Sequence, residues 1–281
     1  MSDLAYATYV APEKPVVSSD LAPGESGENW SPSSATLIQG TRDAVLVDAL
    51  TTMDEGRALA DWVAATGKNL TTIYATHGHG DHFFGATEVL DRFPDARLVA
   101  TAGVVDMMRS QTGPRWLDGF WRQRFPNQIT DEPVVAEVLT EPAIELEGER
   151  LEPIELGHTD TDHTTALHAP SIRLVTAGDA VYSEHVHLYL AEAGSDGLAS
   201  WLQALTTIEE LSARTVIAGH KREDDGDSPE AIAATRDYLL TWKAAVADSR
   251  DARGVFDTMV KRYPDRVNRN VVWHGAKAAK N

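Results

Sequence analysis

LTTIYATHGHGDHFFG, residues 70–85, decides how the rest of the chain is read. Its first half, Leu70 to Thr76, is short and rich in Thr and Ile, which is strand composition. Its second half sets His77, His79, Asp81 and His82 close together, with Gly78 and Gly80 between them. Glycine has no Cβ, so the backbone there can bend sharply and several short side chains can converge on one point. Imidazole nitrogens and a carboxylate oxygen gathered in this way are ligands of the zinc type. The plain alternative is a solvated, His-rich turn, and the rest of the chain argues against it.

Working outward, the pattern is one of strands alternating with helices, α/β in character. Ala35 to Gln39 and Ala44 to Asp48 read as a hairpin, and Met53 to Thr66 as a helix with acids in its first turn and Gly67 at the C′ position. Phe83 to Phe93 and Gly103 to Gln111 read as helices around a strand at Arg97 to Ala100. Val134 to Leu139, Ala143 to Leu146, Leu151 to Leu156, Thr165 to His168, Ile172 to Thr176 and Thr215 to Ala218 read as strands. A helix capped by Ser195 runs through Ser212, and a long C-terminal helix starts at Ser228 with Pro229 at its first position. Residues 1–27 read as an irregular arm that lies on the surface or against a partner subunit, ahead of a single domain over 28–281. The segment 112–131 interrupts the alternation with Trp116, Phe120, Trp121 and Phe125 beside Gly and Pro, as a flap over a pocket or a satellite core.

His158, Asp179 and His220 each follow a predicted strand, and each is preceded by glycine. Residues at the C-terminal strand ends of an α/β sheet share one edge, where sites form. Five histidines and two aspartates on that edge match two zinc ions with open coordination positions. The chain has no cysteine, so metal binding must rest on His and carboxylates. A formal charge of −18 and the lack of a basic patch disfavour nucleic acid as a partner. No apolar run approaches membrane-spanning length and the first residues do not resemble a signal peptide, so a cytoplasmic protein acting on a small molecule is expected. A homodimer is left open.

The run THGHGDHFFG, followed in order by GHTDTD, AGDAVY and AGH, resembles the metallo-β-lactamase-fold metallohydrolase superfamily from about Ser34 to His220. The resemblance implies a four-layered αββα sandwich with a two-metal site at one edge. By that resemblance His77, His79 and His158 would hold the first zinc ion, Asp81, His82 and His220 the second, and Asp179 would bridge them; iron or manganese could stand in for zinc. Asp48, ending VLVD, matches an acidic position that supports a metal-binding histidine, and His163 could act in the same indirect way. Tyr182, three residues after Asp179, resembles the lactone-hydrolysing members, where a tyrosine faces the substrate carbonyl or leaving oxygen. His185, His187, Trp116 and Trp121 are candidate substrate contacts.

The reaction expected is hydrolysis of a carboxylic ester, most specifically a lactone, by metal-bound hydroxide, with Asp81 both a ligand and an orienting base. A glyoxalase II-like thioesterase, a β-lactamase and, in another class, an iron-dependent persulfide dioxygenase-like oxidoreductase are the alternatives. Histidines bind metal only when neutral, so metal and activity should be lost below about pH 6.

Overall fold

Strand β5 (Asp43–Val47) shows how the layers arise. Its Ala44 and Leu46 face a core shared with helices, whereas Val45 and Val47 face a second sheet. Both faces are covered, so the strand is apolar throughout instead of alternating. Each side chain of this size contributes about 1.5–3 kcal/mol by leaving water.

The computed structural model describes residues 4–280, apart from the side chain of residue 195. Strands β1 (Ala5–Ala11), β4 (Ser33–Gln39), β5, β6 (Asn69–Tyr74), β7 (Arg97–Ala100) and β8 (Glu137–Val138) form one sheet in the order β1-β4-β5-β6-β7-β8. The second has the order β13-β12-β11-β10-β9, from β9 (Ile144–Leu146), β10 (Glu149–Gly157), β11 (Thr164–Ala169), β12 (Leu174–Thr176) and β13 (Thr215–Ile217). Between them Ile38, Val45, Tyr74, Leu151, Leu167 and Ile217 form the central core. Helices α1 (Met53–Ala65), α2 (Ala86–Arg92) and α3 (Ala102–Gln111) cover the first sheet through Leu59, Val63, Val89 and Val104. Helix α6 (Gly194–Glu210) and α7 (Glu230–Asp248) cover the second through Trp201, Leu205, Tyr238 and Trp242. This is the expected αββα sandwich. Helix α1 starts at a capping box, in which the Glu55 N–H donates to Thr52 Oγ1 and the Glu55 carboxylate accepts from the Thr52 N–H.

Several expectations are corrected. The expected irregular arm holds two strands before its irregular stretch 17–27, and residues 1–3 lie outside the description. Ala5 to Ala11 pairs antiparallel with β4 along its whole length as the sheet's outer strand, and β2 (Lys14–Val16) pairs with β3 (Glu28–Trp30). The prolines that follow masked a Tyr- and Val-bearing strand whose stability comes from its partner. The single C-terminal helix is three: α7, α8 (Ala252–Arg262) and α9 (Arg269–Lys280). Asp251 accepts from the Gly254 N–H and caps α8, and Pro229 is the cap residue of α7 instead of its first turn. Helix α6 begins at Gly194 with Ala193 as its cap; the side chain of Ser195, the expected cap, lies outside the description. Segment 112–131 coils into α4 (Pro114–Trp116), a π turn at Leu117–Trp121 and α5 (Arg122–Arg124). No described helix is long and apolar enough to cross a membrane.

Candidate metal centre

Four strand ends deliver the ionisable residues to one edge. β6 leads into His77, His79, Asp81 and His82; β10 into the 158–163 turn; β12 into Asp179; β13 into His220. The chain bends at Gly78 and coils into a short helical turn from Gly80, without a positive φ at either glycine. Both glycines permit close approach: a Cβ on Gly78 would lie 2.3 Å from Met107 Cβ, and one on Gly80 would lie 2.4 Å from the Phe84 ring.

The side chains meet in three overlapping groups: His77, His79 and Asp160; Asp81, His82 and His220; and His77, His82 and Asp179 between them. In the first, Asp160 Oδ2 lies 2.9 Å from His79 Nδ1 and 3.6 Å from His77 Nε2. In the second, Asp81 Oδ2 lies 3.5 Å from His220 Nε2 and 3.9 Å from His82 Nε2. Asp179 joins the rings, with Oδ1 3.1 Å from His82 Nε2 and Oδ2 3.1 Å from His220 Nε2.

The atoms facing away from the cluster are held. His82 Nδ1 sits 2.9 Å from Asp48 Oδ2, and Asp48 also accepts from the Thr76 N–H and hydroxyl. Thr76 Oγ1 is 3.1 Å from His77 Nδ1. His220 Nδ1 is 2.9 Å from the Pro32 carbonyl; on the cluster side, Trp30 Nε1 donates to Asp81 Oδ2, the oxygen that also faces His82 and His220. Asp48 does this from a left-handed backbone conformation, φ 60°, which turns its carboxylate back beneath the histidines. Outer partners of this kind fix ring orientation at metal sites.

The cluster demands positive charge. Burial disfavours protonated His82, yet the carboxylates of Asp179, Asp81 and Asp48 outweigh it and hold its pKa well above the ordinary imidazole value. Burial likewise opposes charge on His79, and Asp160 and Glu192 overcome it. His220 is raised by Asp179 against burial, while burial and neighbouring His82 push His77 down. Burial would raise Asp179, but His220 and His82 hold it well below the usual carboxylate range. His77 Nε2, His82 Nε2, Asp160 Oδ2 and Asp179 Oδ1 are buried without a properly angled hydrogen bond. Buried acceptors left unsatisfied this close together are what a cation would satisfy, and an all-N/O donor set fits zinc, iron or manganese.

Other expected residues are distributed as follows. His158 is not in any of the three groups: its Nδ1 bonds Asp162 Oδ1 at 2.6 Å and its ring lies on Gly197 of α6. Asp160, two residues on, is the residue grouped with His77 and His79; the sequence held this aspartate in view within GHTDTD, but an aspartate there reads as a turn residue. His163 is exposed, at φ 58°, against Gly103, so it supports no ligand. His185 bonds Asp225 at 2.5 Å and does not line the cavity over the cluster. That cavity, about 530 Å³ and open to solvent, is lined by Trp30, Trp116, Phe120, Trp121, Tyr182, His187, Tyr189, Glu192 and Asn268 beside the cluster. Trp121 is also core, its Nε1 donating to Gln111 Oε1, so segment 112–131 is at once wall and core. Tyr182 donates to Asp179 Oδ2 at 2.5 Å, and burial and Asp179 hold its pKa well above that of a free phenol. Glu192, 3.4 Å from His79 Nε2, and Trp30 and Asn268 carried no motif that would have flagged them.

A sequence model of the metallo-β-lactamase superfamily matches residues 29–220. No curated protein sequence matches the chain. Among solved structures, a metallo-β-lactamase family protein from Thermus thermophilus is 21% identical, with 97% of this chain and 91% of that one covered and a TM-score of 0.62. The DIM-1 metallo-β-lactamase exposed to ceftazidime is 16% identical, covering 86% and 94%, with a TM-score of 0.61. A stereoselective inverting sec-alkylsulfatase from Pseudomonas sp. is 15% identical, covering 88% and 46%, with a TM-score of 0.62. At these identities the likeness is one of fold. Together with the match over residues 29–220, it establishes that the chain belongs to the metallo-β-lactamase superfamily.

Proposed function

We propose that this chain is a metal-dependent hydrolase of an uncharged carboxylic ester, in particular a lactone, with two zinc ions held by His77, His79, Asp160, Asp81, His82, His220 and Asp179. One observation carries the reading: the cluster opens on a cavity walled by aromatic rings whose described lining contains no Lys or Arg. Away from the cations, which neutralise Asp81 and Asp179, the anionic group of a sulfate ester, a β-lactam carboxylate or a glutathione thioester would meet Glu192 and no Lys or Arg of the described lining. Bound divalent cations would supply Lewis acidity and bring the pKa of water toward neutrality.

The chain's own groups do the rest. Trp116, Phe120 and Trp121 exclude water and accept the apolar body of the substrate. Tyr182 keeps its proton, which Asp179 Oδ2 accepts, and a carbonyl or leaving oxygen would have to take that hydrogen bond over from Asp179. Asp81, fixed by Trp30, orients the attacking water and takes its proton. On the far wall His187 has its pKa pushed down to about 3 by burial and by Arg266 and Arg269, so it is neutral. Tyr238 accepts from the Leu188 backbone and lies 2.9 Å from His187 Nδ1. His187 Nε2, on the other side of the ring, is buried without a hydrogen-bond partner. Unpartnered Asn268 Oδ1 stands beside it, since Val186 and Val267 pair in a bridge. The two atoms suit a polar substituent on the acyl chain.

A second reading has one observation in its favour. His77, His79 and Asp160 form a two-histidine, one-carboxylate set, the type used by non-haem iron oxygenases. Metal quantitation followed by a screen of lactones, aryl esters, thioesters, β-lactams and phosphodiesters tests both readings. Turnover of lactones or esters by the metal-loaded protein is expected. Iron with dioxygen consumption and no ester turnover would replace the first reading with the second.

A further inference from the structure

The superfamily motif places a histidine, His158, on the first cation; the geometry points to a different ligand. We infer that Asp160 holds that cation in place of His158, so that the centre carries three carboxylates, Asp81, Asp160 and Asp179. The inference rests on the proposal that the cluster binds metal.

Three observations carry it. Asp160 is fully buried with Oδ2 unsatisfied, while Oδ1 accepts from the Thr159 hydroxyl, so one oxygen is anchored and the other is offered to His77 and His79. The turn that presents it is closed on itself: Thr159 Oγ1 also lies 2.8 Å from Thr164 Oγ1, and the Thr159 N–H donates to the Thr161 carbonyl. His158 meanwhile belongs to none of the three groups: Asp162 engages its Nδ1, and its Nε2 is buried without a hydrogen-bond partner on the α6 side. A shift of register between Glu155 and Gly157 ends β10, with Gly157 at φ 77°, and turns the next side chain toward α6. There its Nε2 would lie 2.6 Å from a Cβ on residue 197, which is glycine, and Asp162 holds its Nδ1.

The exchange alters the chemistry of the centre. Two divalent cations against three carboxylates leave about one positive charge, where a histidine in the same position would leave about two. Any N/O site favours zinc over manganese in raw affinity, but carboxylates suit manganese better than imidazoles do. The protein should therefore discriminate less sharply against Mn²⁺ than a three-histidine site would.

The test uses the full chain, chelated and then titrated with Zn²⁺ or Mn²⁺. Metal per chain is read by elemental analysis, Kd by chelator competition, and bound Mn²⁺ by electron paramagnetic resonance. His158→Ala should retain both metals, with each Kd within about threefold of the parent. Asp160→Asn, which preserves shape, should weaken one of the two sites by about tenfold or more, first-sphere loss being at least as damaging as loss of an outer partner. Asp160→His should keep zinc while weakening Mn²⁺ by about tenfold, as a carboxylate-to-imidazole exchange predicts. Loss of a metal in His158→Ala with both metals kept in Asp160→Asn would overturn the assignment and leave the hydrolase reading intact. Metal uptake that follows Asp160 without any ester turnover would uphold it and remove the hydrolase instead. A parent protein that takes up neither ion overturns it outright.

Discussion

The two halves of the centre use similar ligands but are held with unequal firmness. Around Asp81, His82 and His220 the partners are the Trp30 indole, the Asp48 carboxylate and the Pro32 carbonyl, at 3.0, 2.9 and 2.9 Å. Around His77, His79 and Asp160 the partners are the hydroxyls of Thr76 and Thr159 and, at 3.4 Å, the carboxylate of Glu192. A charged partner restrains a ring more strongly than a hydroxyl does. The first half has its carboxylate partner at 2.9 Å and is the stiff one; the second has its carboxylate partner at 3.4 Å and is the softer.

Asp179 spans both halves, so Asp179→Ala should be the most damaging change. Removing several kcal/mol of transition-state stabilisation corresponds to about a thousandfold in kcat. Kinetics with elemental analysis would check this, and near-parental turnover would dispose of a shared centre. Asp48→Asn strikes the stiff half. It should weaken metal binding by about 10–100-fold, the usual cost of an outer partner. Glu192→Gln strikes the soft half and should cost less than about tenfold on the same scale. Equal losses from these two variants would erase the contrast. Trp116→Ala, at the cavity wall, should raise KM about threefold with kcat nearly unchanged, as loss of uniform binding does.

The smallest effect is on the stability of the chelated protein. Raised pKa values at His79, His82 and His220 give stability that is complete below about pH 6.5 and lost as pH rises through the folded values. Lowered values at Asp81, Asp160 and Asp179 give stability that is complete above about pH 4 and lost as pH falls through theirs. Without metal, the Tm should peak between those limits and decline toward pH 9. Loaded protein should gain over the same interval, because cations then no longer compete with protons. Melts at pH 5, 7 and 9 distinguish the two trends.

Much of this was legible in the chain. Residues 70–85, Asp48, Asp179 and His220 each carried a strand ending in a ligand-type residue, and the sandwich followed from the order of strands and helices. What was hidden depended on partners distant in sequence. The Ala5–Ala11 strand acquires meaning only beside β4, and Trp30 only beside Asp81. The exchange of Asp160 for His158 turns on a register shift and on a glycine in α6, neither of which local pattern reveals.

The amino-terminal segment therefore has a reach that its position in the chain conceals. Strand β1 is zipped to β4, and the stretch leading into β4 supplies the indole on Asp81, the carbonyl on His220 and a nearby serine hydroxyl. If the cluster holds metal as proposed, trimming or tagging that end should loosen the grip on it. Differences among shortened versions of this protein would then report how much metal each retains before they report any taste in substrates.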